Sequence, residues 1–275
     1  MKARCNIGGF WVAAVVYLLS VAAMFSSTSS PAALTGEEIA KRIIARAQAS
    51  SAAQSKHQQY TYKKLSINEE LDDQGRVKER KEKVLFFKEG SGSLLAMKVN
   101  GKALNATEFR KQEEKAAQEQ VRIGDKPARR DENWEKYLTP DLLSKYQFKL
   151  LSRTNYNGRP TYVLAFQPIS QNLPVKQMAD RLINQVAGKV WVDEQEYEIA
   201  RAEINLLSEV NLWGGMLGSL KKFYYLVDRT RLDENIWFNR ATYGDFQGRK
   251  LLDNTHMKLR SESSNFQRIL PMSSR

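Results

Sequence analysis

The stretch Gly188–Leu207, GKVWVDEQEYEIARAEINLL, decides the reading of this chain. Val190, Trp191 and Val192 are strand formers, and Tyr197, Ile199, Ile204 and Leu206 resume the pattern further on. Asp193-Glu194-Gln195-Glu196 between them is too polar for a strand interior and suits a hairpin turn. A strand, a polar turn and a returning strand make antiparallel β-structure. Solvated turn residues account for the three carboxylates better than an acid catalyst does.

Similar punctuation runs through the whole chain. Strands are expected over Tyr60–Leu71, Arg76–Lys88, Leu94–Val99, Phe148–Tyr156, Pro160–Gln167, Lys221–Arg231, Ile236–Phe246 and Lys250–Ser263. Asn100-Gly101 and Asn157-Gly158 are strong hairpin turns, and Asp72–Gly75, Asp233–Asn235 and Gln247–Arg249 read as turns too. The first half of Arg76–Lys88 is so charged that it fits a solvent-washed edge. Short turns between consecutive strands argue for one antiparallel sheet rather than βαβ units. About ten or eleven strands in one sheet must curl. The expected fold is therefore α+β: a single, strongly curved antiparallel sheet with helices on its concave side.

Helices are expected at three places. Thr35-Gly36-Glu37-Glu38 has the capping-box pattern and opens a helix over Glu37–Ala53, with Ile39, Ile43 and Ala47 on one face. Asn105–Glu108 opens a second, polar helix. With the basic stretch that follows, it forms a charged helical insertion near residues 107–130. Val175–Ala187 reads as a third helix, ended by Gly188. Trp134–Tyr137 and Pro140–Tyr146 read as short helical turns.

The beginning of the chain has a different character. Lys2 and Arg4 precede the apolar run Phe10–Phe25, and small residues follow to Ala33. That is the order of a secretory signal, so residues 1–33 are expected to be a leader, cleaved or kept as an N-terminal anchor. The domain proper is then residues 34–264, with 265–275 a flexible tail. The only cysteine, Cys5, lies inside the leader, so the mature chain would hold no disulfide and no thiolate nucleophile.

The chain of 275 residues carries a formal charge of +12, and a leader ending at Ala33 would remove only Lys2 and Arg4 from its basic residues. A basic surface favours anionic partners, among them phospholipid head groups, so membrane-surface contact through basic patches is one expectation. Nucleic acid is not an expected partner of an exported chain. His57 and His256 have no metal-ligand spacing, and neither a nucleophile elbow nor a phosphate loop is present. No catalytic residue, metal or cofactor is expected, although a carboxylate pair of a hydrolase stays open on sequence grounds. The aromatic residues offer the remaining site. Phe86, Trp134, Trp191, Trp213, Phe223, Tyr225 and Trp237 read either as ordinary core or as the lining of an apolar cavity left by a curved sheet.

Gly188, Val190, Trp191, Val192, Asp193, Ile199, Arg201 and Glu203 resemble the corresponding hairpin of the bacterial outer-membrane lipoprotein-sorting proteins, the LolA/LolB-like superfamily. Tyr62, Gly75, Asn100-Gly101-Lys102 and Tyr162-Val163-Leu164 fit a divergent branch of it. The resemblance implies an incomplete β-barrel closed by helices over a hydrophobic cavity for lipid or lipoprotein acyl chains. It implies a periplasmic carrier rather than an enzyme. The same fold also serves in envelope-stress regulation, so a sensor module with an envelope protein partner is the alternative. The arginine that gates the cavity in simple carriers has no identifiable counterpart in this sequence.

Overall fold

The computed structural model describes residues 34–50, 60–87, 94–123, 138–170, 173–175, 178–212, 218–250 and 253–269. The leader, the Trp134–Tyr137 turn and the Trp213–Leu217 link lie outside the described residues. The helices are α1 (Gly36–Ser50), α2 (Ala106–Ile123), α3 (Pro140–Lys145) and α4 (Met178–Ile183). The strands are β1 (Tyr60–Leu71), β2 (Val77–Phe87), β3 (Leu94–Val99), β4 (Lys102–Ala103), β5 (Tyr146–Tyr156) and β6 (Arg159–Pro168). They continue as β7 (Val186–Asp193), β8 (Ile199–Leu206), β9 (Val210–Leu212), β10 (Gly218–Asp233), β11 (Ile236–Lys250) and β12 (Asp253–Arg268).

All twelve strands join one antiparallel, curved sheet in the order β4-β3-β2-β1-β12-β11-β10-β8-β7-β6-β5, with β9 also on β10. The sheet is open, its path running from β4 to β5. The strands beyond the expected ten or eleven are the two shortest, β4 and β9, which present too little alternation to be seen in sequence. Consecutive strands pair almost everywhere. The exceptions are β8, which passes over β9 to pair with β10, and β4 and β5, which lie at opposite ends of the sheet. In addition, β1 closes onto β12 over eleven paired positions from Tyr60 to Leu71. That long-range pairing sets the middle of the sheet.

The turn chemistry follows the sequence closely. Asn100 and Gly101 have φ of 49° and 77°, and Asn157 and Gly158 have 51° and 80°. Positive φ at both central residues is what a tight hairpin turn demands, and asparagine and glycine tolerate it best. The two capping boxes also form. Thr35 Oγ1 accepts from the Glu38 N–H at 3.2 Å and Glu38 Oε2 from the Thr35 N–H at 2.8 Å. Asn105 and Glu108 do the same at the start of α2. The first half of β2 has only β1 beside it and is exposed, as its charge implies.

Four expectations are corrected. The third helix is only Met178–Ile183, and Val186, Ala187 and Gly188 already belong to β7, paired with Leu206, Asn205 and Ile204. Gly188 is thus a close-approach glycine, not a helix stop. A Cβ there would lie 1.9 Å from the Glu203 carbonyl oxygen. Tyr197 does not begin the returning strand; it sits in the turn with φ of 52°. Gln247-Gly248-Arg249 is not a turn but the end of β11, because β10 and β12 flank it and supply its ladder partners. Asn265–Arg268, assigned above to a flexible tail, is strand, with Phe266 packed on Phe238 at 5.2 Å between ring centroids.

Helix α1 buries Ile39, Ala40, Ile43 and Ile44, the face its periodicity marks. Its polar side is tied to the β7–β8 turn. Arg42 donates to the Tyr197 hydroxyl and packs over its ring, and Arg46 Nε donates to Glu198 Oε1 at 3.0 Å.

Candidate functional site: the apolar face of the sheet

Side chains alternate between the two faces of a sheet, so the strand register assigns each residue a side. One lateral row runs Phe148, Phe166, Gly188, Ile204, Tyr225, Gly244 and Leu259 across seven neighbouring strands. Val186, Leu206, Phe223, Phe246 and Met257 lie on the same face two residues further along their strands. This field is apolar throughout, and its large side chains are half-buried, Met257 being 46% exposed. On the other flank of the row the same face carries Leu164, Val190, Ala202 and Val227, all buried.

The aromatic rings of the field pack on one another. Phe223 stacks with Tyr225 at 6.3 Å and meets Phe246 edge-on at 5.2 Å. Gly244 lets this happen: a Cβ there would fall 2.4 Å from the Phe246 ring and 2.8 Å from Leu259 Cγ. A chain laid across this face would touch aromatic and aliphatic carbon over five or more strands, and it would meet no charged group of the row.

The opposite face is polar. Trp191 lies there, its ring under the Arg201 guanidinium at 5.3 Å and beside Tyr156 at 6.4 Å. Arg201 donates to Glu203 Oε1, and Arg240 to Asp228. Asp245 takes Lys222 Nζ at 2.9 Å and lies 2.9 Å from His256 Nε2. Burial pushes the Asp245 carboxyl up, but Lys222 and His256 outweigh it, and its pKa falls below the ordinary value. No group of metal-ligating side chains occurs among the described residues.

The carboxylates of the β7–β8 turn are not solvated, contrary to the sequence reading. Asp193 is 1% exposed; its Oδ1 accepts from the Gln195 and Glu196 N–H groups, and Arg159 grips both oxygens at 2.5 and 3.0 Å. Glu194 pairs with Arg153, Glu196 with Arg231 at 2.7 Å, and Glu198 with Arg229 at 2.9 Å. A turn with four acids is polar enough to look exposed. The arginines that bury it come from α1, β5, β6 and β10, and sequence spacing could not assign them.

No protein-family model and no curated protein matches the sequence. Solved structures do. One is a domain assigned to outer membrane lipoprotein sorting from Vibrio parahaemolyticus, 14% identical, covering 83% of this chain and 93% of that one, with a TM-score of 0.31. Another is a LolA superfamily protein from Nitrosomonas europaea, 10% identical, covering 87% and 96%, with a TM-score of 0.31. A third is MucB in the Pseudomonas aeruginosa MucA/MucB complex, 9% identical, covering 86% and 99%, with a TM-score of 0.25. The first two bear the names of the group that the Gly188–Leu207 hairpin resembles. At such TM-scores the fold rests on the chain's own strand register.

Of the seven aromatic candidates, the structure brings Phe223 and Tyr225 together on the apolar face. Trp191 is on the polar face. Phe86 pairs with Lys63 and Leu95 in the β1–β3 corner, with three strands between β2 and β10. Trp237 is buried, and its indole N–H donates to Glu196 Oε2 at 2.7 Å, so it serves the turn. Trp134 and Trp213 lie outside the described residues. Phe148, Phe166, Ile204, Phe246 and Leu259 were missed. Their alternation was visible within each strand, but their meeting depends on inter-strand register.

Proposed function

We propose that this protein is an exported binding protein or carrier for the acyl chains of lipids or lipoproteins, and that it holds them against the apolar sheet face. The observation that carries this reading is the half-buried field around Phe223, Tyr225 and Phe246. A folded protein buries such a surface or uses it, and each methylene transferred onto it from water contributes about 0.8 kcal/mol. Residues 1–33 serve as the export signal, residues 34–268 as the binding domain, and the periplasm is the compartment. Basic patches attract anionic membrane surfaces. Binding, not catalysis, is the role this reading assigns: the acids of the β7–β8 turn are each engaged by arginine, which leaves no free carboxylate pair there to act as acid and base.

The test uses protein purified from envelope fractions. Organic extraction and mass spectrometry should recover acyl lipid, and a fluorescent fatty acid should bind saturably. Phe246→Asp, which puts a charge among the rings, should weaken uptake at least about tenfold. Absence of extractable lipid together with no uptake by the unaltered protein would overturn the proposal.

A further inference from the structure

A polar row borders the apolar field, and it is built in register. Thr242 on β11 pairs with Ser261 on β12, Ser261 pairs with Ser66 on β1, and Ser66 pairs with Lys83 on β2. Thr242 is two residues from Gly244 and four from Phe246, so it shares their face. Its partner on β10, Val227, is a buried member of that face. Four adjacent strands therefore present three hydroxyls and an ammonium side by side, with neighbouring Cβ atoms about 5 Å apart.

Thr242 is 6% exposed, and its Oγ1 has no hydrogen-bond partner among the described residues. Directly opposed threonine and serine side chains commonly bond to each other across a strand pair. Thr242 and Ser261 are opposed and Thr242 makes no such bond. Ser219 Oγ and Arg229 Nε on β10 are likewise unbonded. Thr242 is the one of the three on the apolar face beside Val227, and a buried unbonded hydroxyl is an exception that calls for a reason. The electrostatics around the row are one-sided. Lys83 continues it, and Lys64 and Lys81 lie on the same face of β1 and β2 by alternation. Glu82 and Glu262, adjoining in sequence, alternate to the other face. On β1 and β2 acid returns to this face at Glu70 and Glu79, four residues along from Ser66 and Lys83, where Glu79 is held by Lys81 at 3.3 Å.

We infer that the Thr242–Ser261–Ser66 row is the head-group subsite of the apolar face, and that its occupant is an amphiphile whose head carries anionic oxygens. This rests on the acyl-binding reading and specifies the ligand class within it. The chain lies over Phe223, Tyr225 and Phe246, and the head reaches the hydroxyls one row away. Hydroxyl donors to an anionic oxygen make short, charge-assisted bonds. Lys83 adds a point charge at the open end of the row, which suits a carboxylate or a phosphate alike.

Displacement of a fluorescent fatty acid tests this with ligands of one chain length: the fatty acid, its methyl ester, the fatty alcohol and the lysophosphatidic acid. The two anionic ligands should bind about tenfold or more tightly than the ester and the alcohol, and whichever anion binds more tightly identifies the head group. Thr242→Val keeps the shape of the side chain. It should weaken the preferred anion about tenfold and leave the ester unchanged. Lys83→Gln should flatten the salt dependence of anion binding. Should Thr242→Val fail to fold by circular dichroism, Ser261→Ala takes its place with the same expectation. If the unaltered protein binds no ligand of the panel, the acyl-binding reading itself fails. If it binds ester and acid equally, or if the hydroxyl variants bind the acid normally, the head-group subsite fails and the acyl reading stands.

Discussion

Replacing Arg229 by methionine should destabilise the protein more than any exposed ion-pair variant. Arg229 is 4% exposed. Its Nη1 donates to Glu198 Oε2 at 2.9 Å and to the Ile199 carbonyl at 3.1 Å, and its Nη2 reaches the Trp237 carbonyl at 3.5 Å. Methionine keeps much of the apolar stem but leaves Glu198 buried with one cation fewer. Removing one partner of a buried pair costs about 3–5 kcal/mol. Arg46 still holds the other Glu198 oxygen, which puts the expected loss near the lower end, about 3 kcal/mol. For a domain of this size that lowers Tm by about 6–12 °C. Urea unfolding followed by circular dichroism measures it. The double variant Arg229→Met/Glu198→Gln should recover part of the loss, because the uncompensated charge is gone. Arg260→Ala, which breaks an exposed pair with Glu262, is the control, with an expected cost below about 1 kcal/mol. A loss in Arg229→Met no larger than in that control would refute the reasoning, since the β7–β8 turn would then not depend on its buried arginine.

Gly188→Ala should cost about 3 kcal/mol or more, because the new methyl would meet the Glu203 carbonyl oxygen at 1.9 Å and push β7 from β8. The urea midpoint reads it, and an unchanged midpoint would remove the close-approach argument. Asp193 supplies an acid-range prediction. Burial pushes its carboxyl up, but Arg159 and the N–H groups of Gln195 and Glu196 outweigh burial, so its pKa lies below the ordinary 3.8. A carboxyl lowered by folding contributes stability above its ordinary value, and that stability is lost as pH falls through the lowered one. The unfolding midpoint should therefore drop below about pH 4, and more steeply in the unaltered protein than in Asp193→Asn. Equal slopes would mean that Arg159 does not hold the acid in the folded state.

Residues close in sequence carried most of the secondary structure. Asn100-Gly101 and Asn157-Gly158 require positive φ and turn the chain where they stand. Thr35 and Asn105 cap helices with a glutamate three residues on. Period-two alternation located the long strands, and short turns between them made the antiparallel sheet legible. The errors cluster where local polarity mimics a boundary. Gly188 and Gly248 look like stops, yet they are strand residues because neighbouring strands complete their ladders.

The candidate site was less legible, for a physical reason. A strand pattern says that Phe223 and Tyr225 share a face, but not which residues of other strands join them. That depends on register across the sheet, and a shift of one residue would move a strand's whole set of side chains to the opposite side. Only the folded sheet decided that Phe246 and Leu259 join Phe223, that Trp191 faces Arg201, and that Thr242, Ser261 and Ser66 stand in one row. The hairpin Gly188–Leu207 shows the division. Its sequence determined two strands and a polar turn, because alternation and turn propensity are local. The tertiary structure alone decided that the acids of the turn are buried, because arginines from four distant elements neutralise them.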